Sequence, residues 1–282
     1  MIDVLFCGNR GIFDGILTAA LSIVRRTRSE EPFRIHLFTM SLTEIRADYL
    51  PLDTDLAEFL QSALRRYNRE NEVVLHDVTA LYREQLRGCP NETAYCSPYT
   101  LIRLLADLVL DPECEKLLYL DADVLFNRDV TLLWNTDLTG YEYAAAQDHY
   151  GKYLCGPGYI NAGVILFNMK KARKTDLFGK ARQKLWQKKW VFADQSALIR
   201  ATTRRRLLPQ KFNDQKFLHR HTVVRHFSRR LFWLPYPHIA NIKQWQIEPM
   251  RKSFGYRCFD DILDEYAALR TAYPEFRKED EA

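Results

Sequence analysis

Asp121 and Asp123 stand two residues apart where an apolar run, Leu117-Leu118-Tyr119-Leu120, gives way to Asp121-Ala122-Asp123 and then resumes as Val124-Leu125-Phe126. In an extended chain, residues i and i+2 point to the same side. Two carboxylates on one side can converge on a divalent cation, and hard oxygen donors suit Mg or Mn. An unbroken apolar run of this length suits a strand buried on both faces of a parallel sheet. Unpaired carboxylates inside such a strand would be costly, so the strand should end where the acids begin. The alternative is an Asp pair that caps a loop or the next helix.

The elements that must hold this pair follow from periodicity. Val4 to Cys7 reads as a first strand, followed by the polar turn Gly8-Asn9-Arg10-Gly11. A helix is expected from about Asp14 to Arg26, with Ile16, Leu17, Ala20, Leu21 and Val24 on one face. Phe33 to Thr39 and Val73 to Leu75 read as strands, with an amphipathic helix over Leu56 to Tyr67 between them. Ser97-Pro98 is a good helix start, and one helix is expected to run to Leu110, carrying Arg103 among leucines. Alternating strands and helices predict an α/β protein with a mostly parallel sheet. Ligands of such sheets sit beyond the carboxyl ends of the strands. The Gly8 turn and the Asp121 pair both belong to that edge.

The second half is less regular. Tyr143 to Ala146 reads as a strand ending at Asp148, and Tyr159-Ile160-Asn161-Ala162-Gly163 leads into the run Val164 to Phe167. A basic helix is expected over Ala181 to Trp190, and another from Phe192, with Asp194 able to cap it. Leu207 to Asn213 reads as extended, and Val223 to Phe227 as a strand holding His226. The expected division is a catalytic domain over 1–240 and a helical tail over 241–282.

Composition bounds the class. The 282 residues can bury a large core. No run approaches the roughly 18 to 20 apolar residues that span a bilayer. The chain opens on a strand pattern rather than a cleavable segment, which predicts a cytoplasmic protein. Cys7, Cys89, Cys96, Cys114, Cys155 and Cys258 are scattered and read as reduced thiols. Between Lys170 and Arg230 the only acids are Asp176, Asp194 and Asp214, against a dense series of Lys and Arg. That stretch favours an anionic partner or is a solvated basic face. It carries no motif that reads nucleic acid, so no nucleic-acid partner is expected.

Several pieces in order resemble family 8 glycosyltransferases, retaining GT-A-fold enzymes that use nucleotide sugars. They are Ser-Pro-Tyr-x-x-x-Arg at 97–103, Leu-Tyr-Leu-Asp-Ala-Asp-Val-Leu at 118–125, Asn-Ala-Gly-Val at 161–164, Phe-Ala-Asp-Gln at 192–195, Leu-Pro-x-x-Phe-Asn at 208–213, and His226 at a strand end. The resemblance spans Ile2 to Trp233. It implies a metal, Mn or alternatively Mg, on Asp121, Asp123 and His226; an imidazole ligand suits Mn better than Mg. It implies a UDP-sugar site from Cys7, Gly8, Asn9, Arg103, Asp121, Ala122, Asp123, Asp148, Asn161, Ala162, Gly163, Asp194, Gln195 and Arg229. Arg103 forks onto phosphate or carboxylate. It can serve the donor, a buried salt bridge, or both.

The resemblance also places Asp194 and Gln195 at the anomeric carbon as catalytic residues. Retention through a covalent carboxylate or by same-face attack both remain open. Two features depart from the family pattern. The Gly8 turn lacks the usual Tyr, and the Gly-x-x-Lys-Pro-Trp that follows the metal histidine is replaced by Ser228-Arg229-Arg230-Leu231-Phe232-Trp233. Arg229 or Arg230 is then expected to stand in for the diphosphate-binding Lys.

The implied function is transfer of glucose or galactose from a UDP-sugar to a surface polysaccharide, lipid-linked glycan or similar acceptor, with peripheral contact at the inner face of a membrane. The rival from another class is a nucleotide-sugar or glycan binder of the same fold without turnover.

Overall fold

Strand β1, Ile2–Cys7, is buried along nearly its whole length, as its continuous apolar sequence requires of a central parallel strand. The computed structural model describes residues 1–93, 97–232 and 236–273. β1 lies between β2 (Phe33–Thr39) and β4 (Lys116–Leu120), parallel to both, and β3 (Glu72–Asp77) extends that half beyond β2. On the other side, β7 (Ile160–Asn168) runs antiparallel to β4 and to β6 (Tyr143–Gln147), and β8 (Arg205–Leu208) closes the edge parallel to β6. The seven-stranded order is β3-β2-β1-β4-β7-β6-β8, so β7 alone opposes its neighbours. Helices cover both faces. Phe13–Arg26 and Thr54–Arg65 pack on one core, and Leu177–Gln187 and Ala193–Ala201 on the other. This is a GT-A-like α/β fold, as the sequence predicts.

The decapeptide around Asp121 does not form one strand. β4 stops at Leu120, the acids occupy a turn, and β5 (Val124–Phe126) leaves the main sheet to pair with β9 (Val224–His226). The expected helix from Ser97 to Leu110 is also broken, into tight turns at Pro98–Thr100 and Ile102–Leu105 and one α-turn at Ala106–Val109. Leu104 N–H bonds Leu101 O at 3.0 Å, while the Thr100 carbonyl accepts from Arg103 Nε instead of the helix ladder. A side chain that must reach inward has displaced a helical bond. Residues 210–213 were expected extended; after Pro209 they form a short 3₁₀ turn, Gln210–Phe212. The basic helix begins earlier than expected and ends at Gln187, so Trp190 lies beyond it.

Residues after β9 form a two-stranded hairpin, β10 (Arg230–Phe232) with β11 (His238–Ala240), then helices Ile247–Phe254 and Asp260–Ala272. The last helix lies on Phe13–Arg26 and sends Ile262, Leu263 and Tyr266 into the same core. Arg25 and Arg26 both bond Asp261, each at 2.7 Å. Among the described residues Cys7, Cys89, Cys114, Cys155 and Cys258 are free thiols, and no helix is long and apolar enough to cross a membrane. Cys96, Trp233 and the end of the tail, 274–282, lie outside the described residues. Truncating the wholly buried Leu263 to Ala should lower unfolding stability by about 2–5 kcal/mol, as for other buried leucines; chemical denaturation reads this. A change near zero would show that the tail is not part of the folding unit.

Candidate metal and donor-sugar site

Asp121 and Asp123 meet His226 because three backbone pairings fix the turn. Asp121 N–H bonds Gly163 O at 2.8 Å, Val124 pairs with His226 across β5 and β9, and Phe227 N–H bonds Asp123 O at 2.7 Å. His226 Nε2 then lies 3.0 Å from Asp123 Oδ1 and 3.8 Å from Asp121 Oδ2. One ligand atom from each of the three lies within 4.8 Å of the other two. Gly163 is what allows this approach: a Cβ there would lie 2.3 Å from His226 Cε1 and 2.8 Å from Asp121 Oδ2. Two carboxylates and an imidazole around a backbone with no side chain fit a divalent cation of the Mn or Mg kind.

The tautomer of His226 follows from a chain of hydrogen bonds. Asp148 Oδ2 can only accept, so Asn161 presents its amide nitrogen to it, at 2.8 Å. Asn161 Oδ1 then accepts from Gly163 N–H at 3.0 Å and from Asn213 Nδ2 at 2.9 Å. Asn213 is left with its oxygen toward His226 Nδ1, 3.0 Å away. The imidazole proton therefore sits on Nδ1, and the Nε2 lone pair faces the two aspartates.

Arg103 joins the other half of the site. It is 2 % exposed. Its Nη1 donates to Ala162 O at 2.6 Å, its Nη2 to Asp121 Oδ1 at 3.1 Å, and its Nε lies 3.3 Å from Asp194 Oδ2. The guanidinium also covers the Tyr119 ring at 3.9 Å, and the Tyr119 hydroxyl donates to Asp121 Oδ1 at 2.6 Å. Both partners thus engage Asp121 Oδ1 and leave Oδ2 toward His226. Burial pushes the Asp194 carboxyl and the Cys7 thiol up, against Arg103, which lowers both. Burial would also raise Asp123, but the Lys243 ammonium beside it overcomes this and holds that carboxyl well below the usual carboxylate range.

The predicted site residues are largely brought together, with changed duties. Asp194 does not cap its helix; Phe192 holds that position, and Asp194 turns to Arg103. Gln195 Oε1 accepts from Ala162 N–H at 3.0 Å, while its buried Nε2 makes no hydrogen bond among the described residues. Asp148 is occupied by the N–H groups of Tyr150 and Gly151, at 3.0 and 2.6 Å, besides Asn161. Gly8 N–H bonds Phe38 O at 2.9 Å, and a Cβ on Gly8 would overlap Ile12. Asn9 Nδ2 lies 3.4 Å from Asp48 O. Arg229 is exposed in the strand-to-hairpin bend, and Arg230 lies over the rings of Phe217, Phe232 and Phe254.

The cation at Asp123 is instead Lys243, which sequence reasoning passed over. Its Nζ donates to Asp123 Oδ2 and, at 3.1 Å, to Phe227 O. Gln244 Nε2 bonds Ala122 O at 2.8 Å, and the Trp245 ring packs against Gly15. Lys243-Gln244-Trp245 is a Lys-x-Trp that returns to the turn after the excursion 228–242. That triplet was a signal in the sequence, hidden by Gln244 in place of Pro and by the intervening hairpin.

The family model for glycosyl transferase family 8 matches residues 3–215. The chain belongs to glycosyltransferase family 8. It is similar to glycosyltransferase GlyA of Streptococcus pneumoniae, 27% identical over 227 residues, which cover 78% of this chain and 28% of that protein. The chain spans less than half the length of the curated relatives it matches. Its structure resembles the galactosyltransferase LgtC in complex with donor and acceptor sugar analogs, with TM-score 0.64 at 20% identity over 96% of each chain. It also resembles the bifunctional glycosyltransferase WbbM, with TM-score 0.68 at 17% identity over 94% of this chain and 49% of that one.

Replacing Asn213 by Ala removes the acceptor that keeps the proton on His226 Nδ1. Mn affinity, measured by titration calorimetry, should fall about 10- to 100-fold with the fold intact by circular dichroism, as for other residues that orient a ligand. Unchanged affinity would show that the relay does not orient His226.

Proposed function

We propose that this chain is a metal-dependent retaining hexosyltransferase that moves glucose or galactose from a UDP-sugar to a glycan or lipid-linked acceptor. The observation that carries it is the convergence of Asp121, Asp123 and His226 beside the buried set Arg103, Asn161, Asp194 and Gln195. A Mn or Mg ion held by the first three would act as a Lewis acid on the charge that grows on the departing diphosphate.

The chain's own residues do the rest. Lys243 brings a second positive charge to the same place, and we assign it the diphosphate role that Arg229 was expected to fill. Cys7, Gly8 and Asn9 offer a close-approaching backbone to the nucleoside. Asn161, Ala162 and Gly163 line the sugar between the metal and Asp148. The Nε2 of Gln195, without a hydrogen bond among the described residues, is a donor for the sugar or the leaving oxygen. Asp194 takes an electrostatic role, because Arg103 holds its Oδ2 and a nucleophile would have to give up that partner.

Peripheral membrane contact belongs to the same reading. Tyr153 and Leu154 are each 76% exposed, and Tyr236 and Ile239 stand out from the hairpin region. Flotation with anionic vesicles should carry the chain upward; protein left at the bottom of the gradient would remove that part.

Asp121→Asn and Asp123→Asn keep the size of each side chain and remove a charge. Each should abolish UDP-sugar hydrolysis and transfer while the melting curve stays cooperative. Full turnover in both would overturn the proposal. Mn-dependent stabilisation by UDP in a wild-type chain that never hydrolyses a UDP-sugar would favour the binding-protein reading.

A further inference from the structure

Strand order sets the site residues in a row along one edge of the sheet. Cys7 and Gly8 leave β1, and Asp121 leaves β4. Asn161 to Gly163 open the antiparallel β7 at that same edge, and Asp148 follows β6. The row therefore runs from the proposed nucleoside turn, through the metal ligands, to the sugar residues. One position further, beyond β6 and β8, is a cavity of about 340 Å³. His149, Lys211, Lys216, Phe217, His219 and His221 line it.

The lining is cationic. Its one carboxylate, Asp214, is buried and spent: Oδ1 accepts from the N–H groups of Lys216 and Phe217 at 3.3 and 3.1 Å, and Oδ2 from the Thr222 hydroxyl at 3.2 Å. Among the described residues neither Lys211 nor Lys216 is paired with a carboxylate; each lies over its neighbouring Phe ring. The His219 and His221 rings lie parallel with centroids 5.6 Å apart. Arg230 covers Phe217 at 5.4 Å and adds charge at the rim.

Other cations of the basic stretch 170–230 are used inside the fold. Arg173 caps the carbonyls of Leu110, Asp111, Pro112 and Cys114. Arg182 is bonded to Asp107, and Arg225 to Asp214 O and His226 O. Lys211 and Lys216, by contrast, face this cavity.

The cavity and the sugar site share a wall. Gln210 Nε2 and Gln215 Nε2 donate to Asn213 O at 2.6 and 3.3 Å, and Gln215 Oε1 accepts from His149 N–H at 3.0 Å. The Asn213 side chain reaches the other way, to Asn161 and His226. A single residue thus separates the cationic cavity from the donor-sugar and metal side chains.

We propose that this cavity is the acceptor subsite, and that it takes a sugar bearing an anionic group, a phosphate or a carboxylate. The cations hold the charge, and Phe217 offers a ring face to the sugar. The acceptor role rests on the transferase reading above; recognition of an anionic sugar does not.

The test uses the full chain labelled in its histidine rings, followed by NMR without any UDP-sugar. Galactose 6-phosphate, galacturonate, galactose and inorganic phosphate are titrated in turn. A saturable shift of His149, His219 and His221 with the sugar phosphate or the uronate is expected, at least about tenfold tighter than with galactose or inorganic phosphate. Whichever sugar responds identifies the anion. The double variant Lys211→Glu/Lys216→Glu should lose that response and keep wild-type UDP-sugar hydrolysis. Transfer to the responding sugar should fall at least about tenfold in the same variant. Equal response to galactose, equal response to inorganic phosphate, or wild-type binding by the double variant would overturn the inference. If no UDP-sugar is hydrolysed by the wild type while the ring shifts persist, the transferase reading and the acceptor role fail together and the anionic-sugar site stands.

Discussion

A guanidinium buried without solvent has to be surrounded by acceptors, and much of the site is arranged to meet that requirement of Arg103. Breaking a buried ion pair by removing one partner commonly costs about 3–5 kcal/mol, because the charge left behind has no water. Arg103 draws its acceptors from four places: Thr100 in its own turn, Ala162 at the start of β7, Asp121 at the end of β4, and Asp194 in the helix Ala193–Ala201. Each contact constrains one element at the candidate site. The broken helix before β4 is the local cost of aiming this side chain inward.

The second constraint is imposed by neutral amides. Asp148, Asn161, Asn213 and His226 form one directed series in which each amide nitrogen donates to the next acceptor. Because a carboxylate cannot donate, the direction of the whole series is decided at Asp148, two amides away from His226. Networks of this kind are strong when complete and costly when a member is lost. Asp148 and His226 are therefore coupled by geometry.

The two chain ends of the excursion 228–242 meet at the Asp121–Asp123 turn. Phe227 precedes it, Lys243 follows it, and the Lys243 ammonium bonds the Phe227 carbonyl. The hairpin β10–β11 can thus be set into the chain between His226 and Lys243 while both stay beside Asp123. Through Arg230 and Phe217 the same hairpin continues into the wall of the cationic cavity.

Much of this was legible in the residues. The end of β4 at Leu120 follows from the cost of burying Asp121 and Asp123, and the ordered motifs from Ser97 to His226 pointed to the family that the match over 3–215 shows. Local pattern also located the helix over 13–26 and the strands β1 to β3. Three things required the tertiary structure. Arg103 and Asp194 are far apart in sequence, so neither carried a sign that one would claim the other in place of a helix cap. Lys243 is brought to Asp123 only by the return of the excursion, which spacing along the chain concealed. The basic stretch read as a dense series of Lys and Arg, yet carbonyls and Asp107 engage some of its charges while Lys211 and Lys216 face one cavity. Periodicity and burial cost act between near neighbours and can be read from order alone; which distant charges pair is settled only when the sheet edge brings them within hydrogen-bond reach.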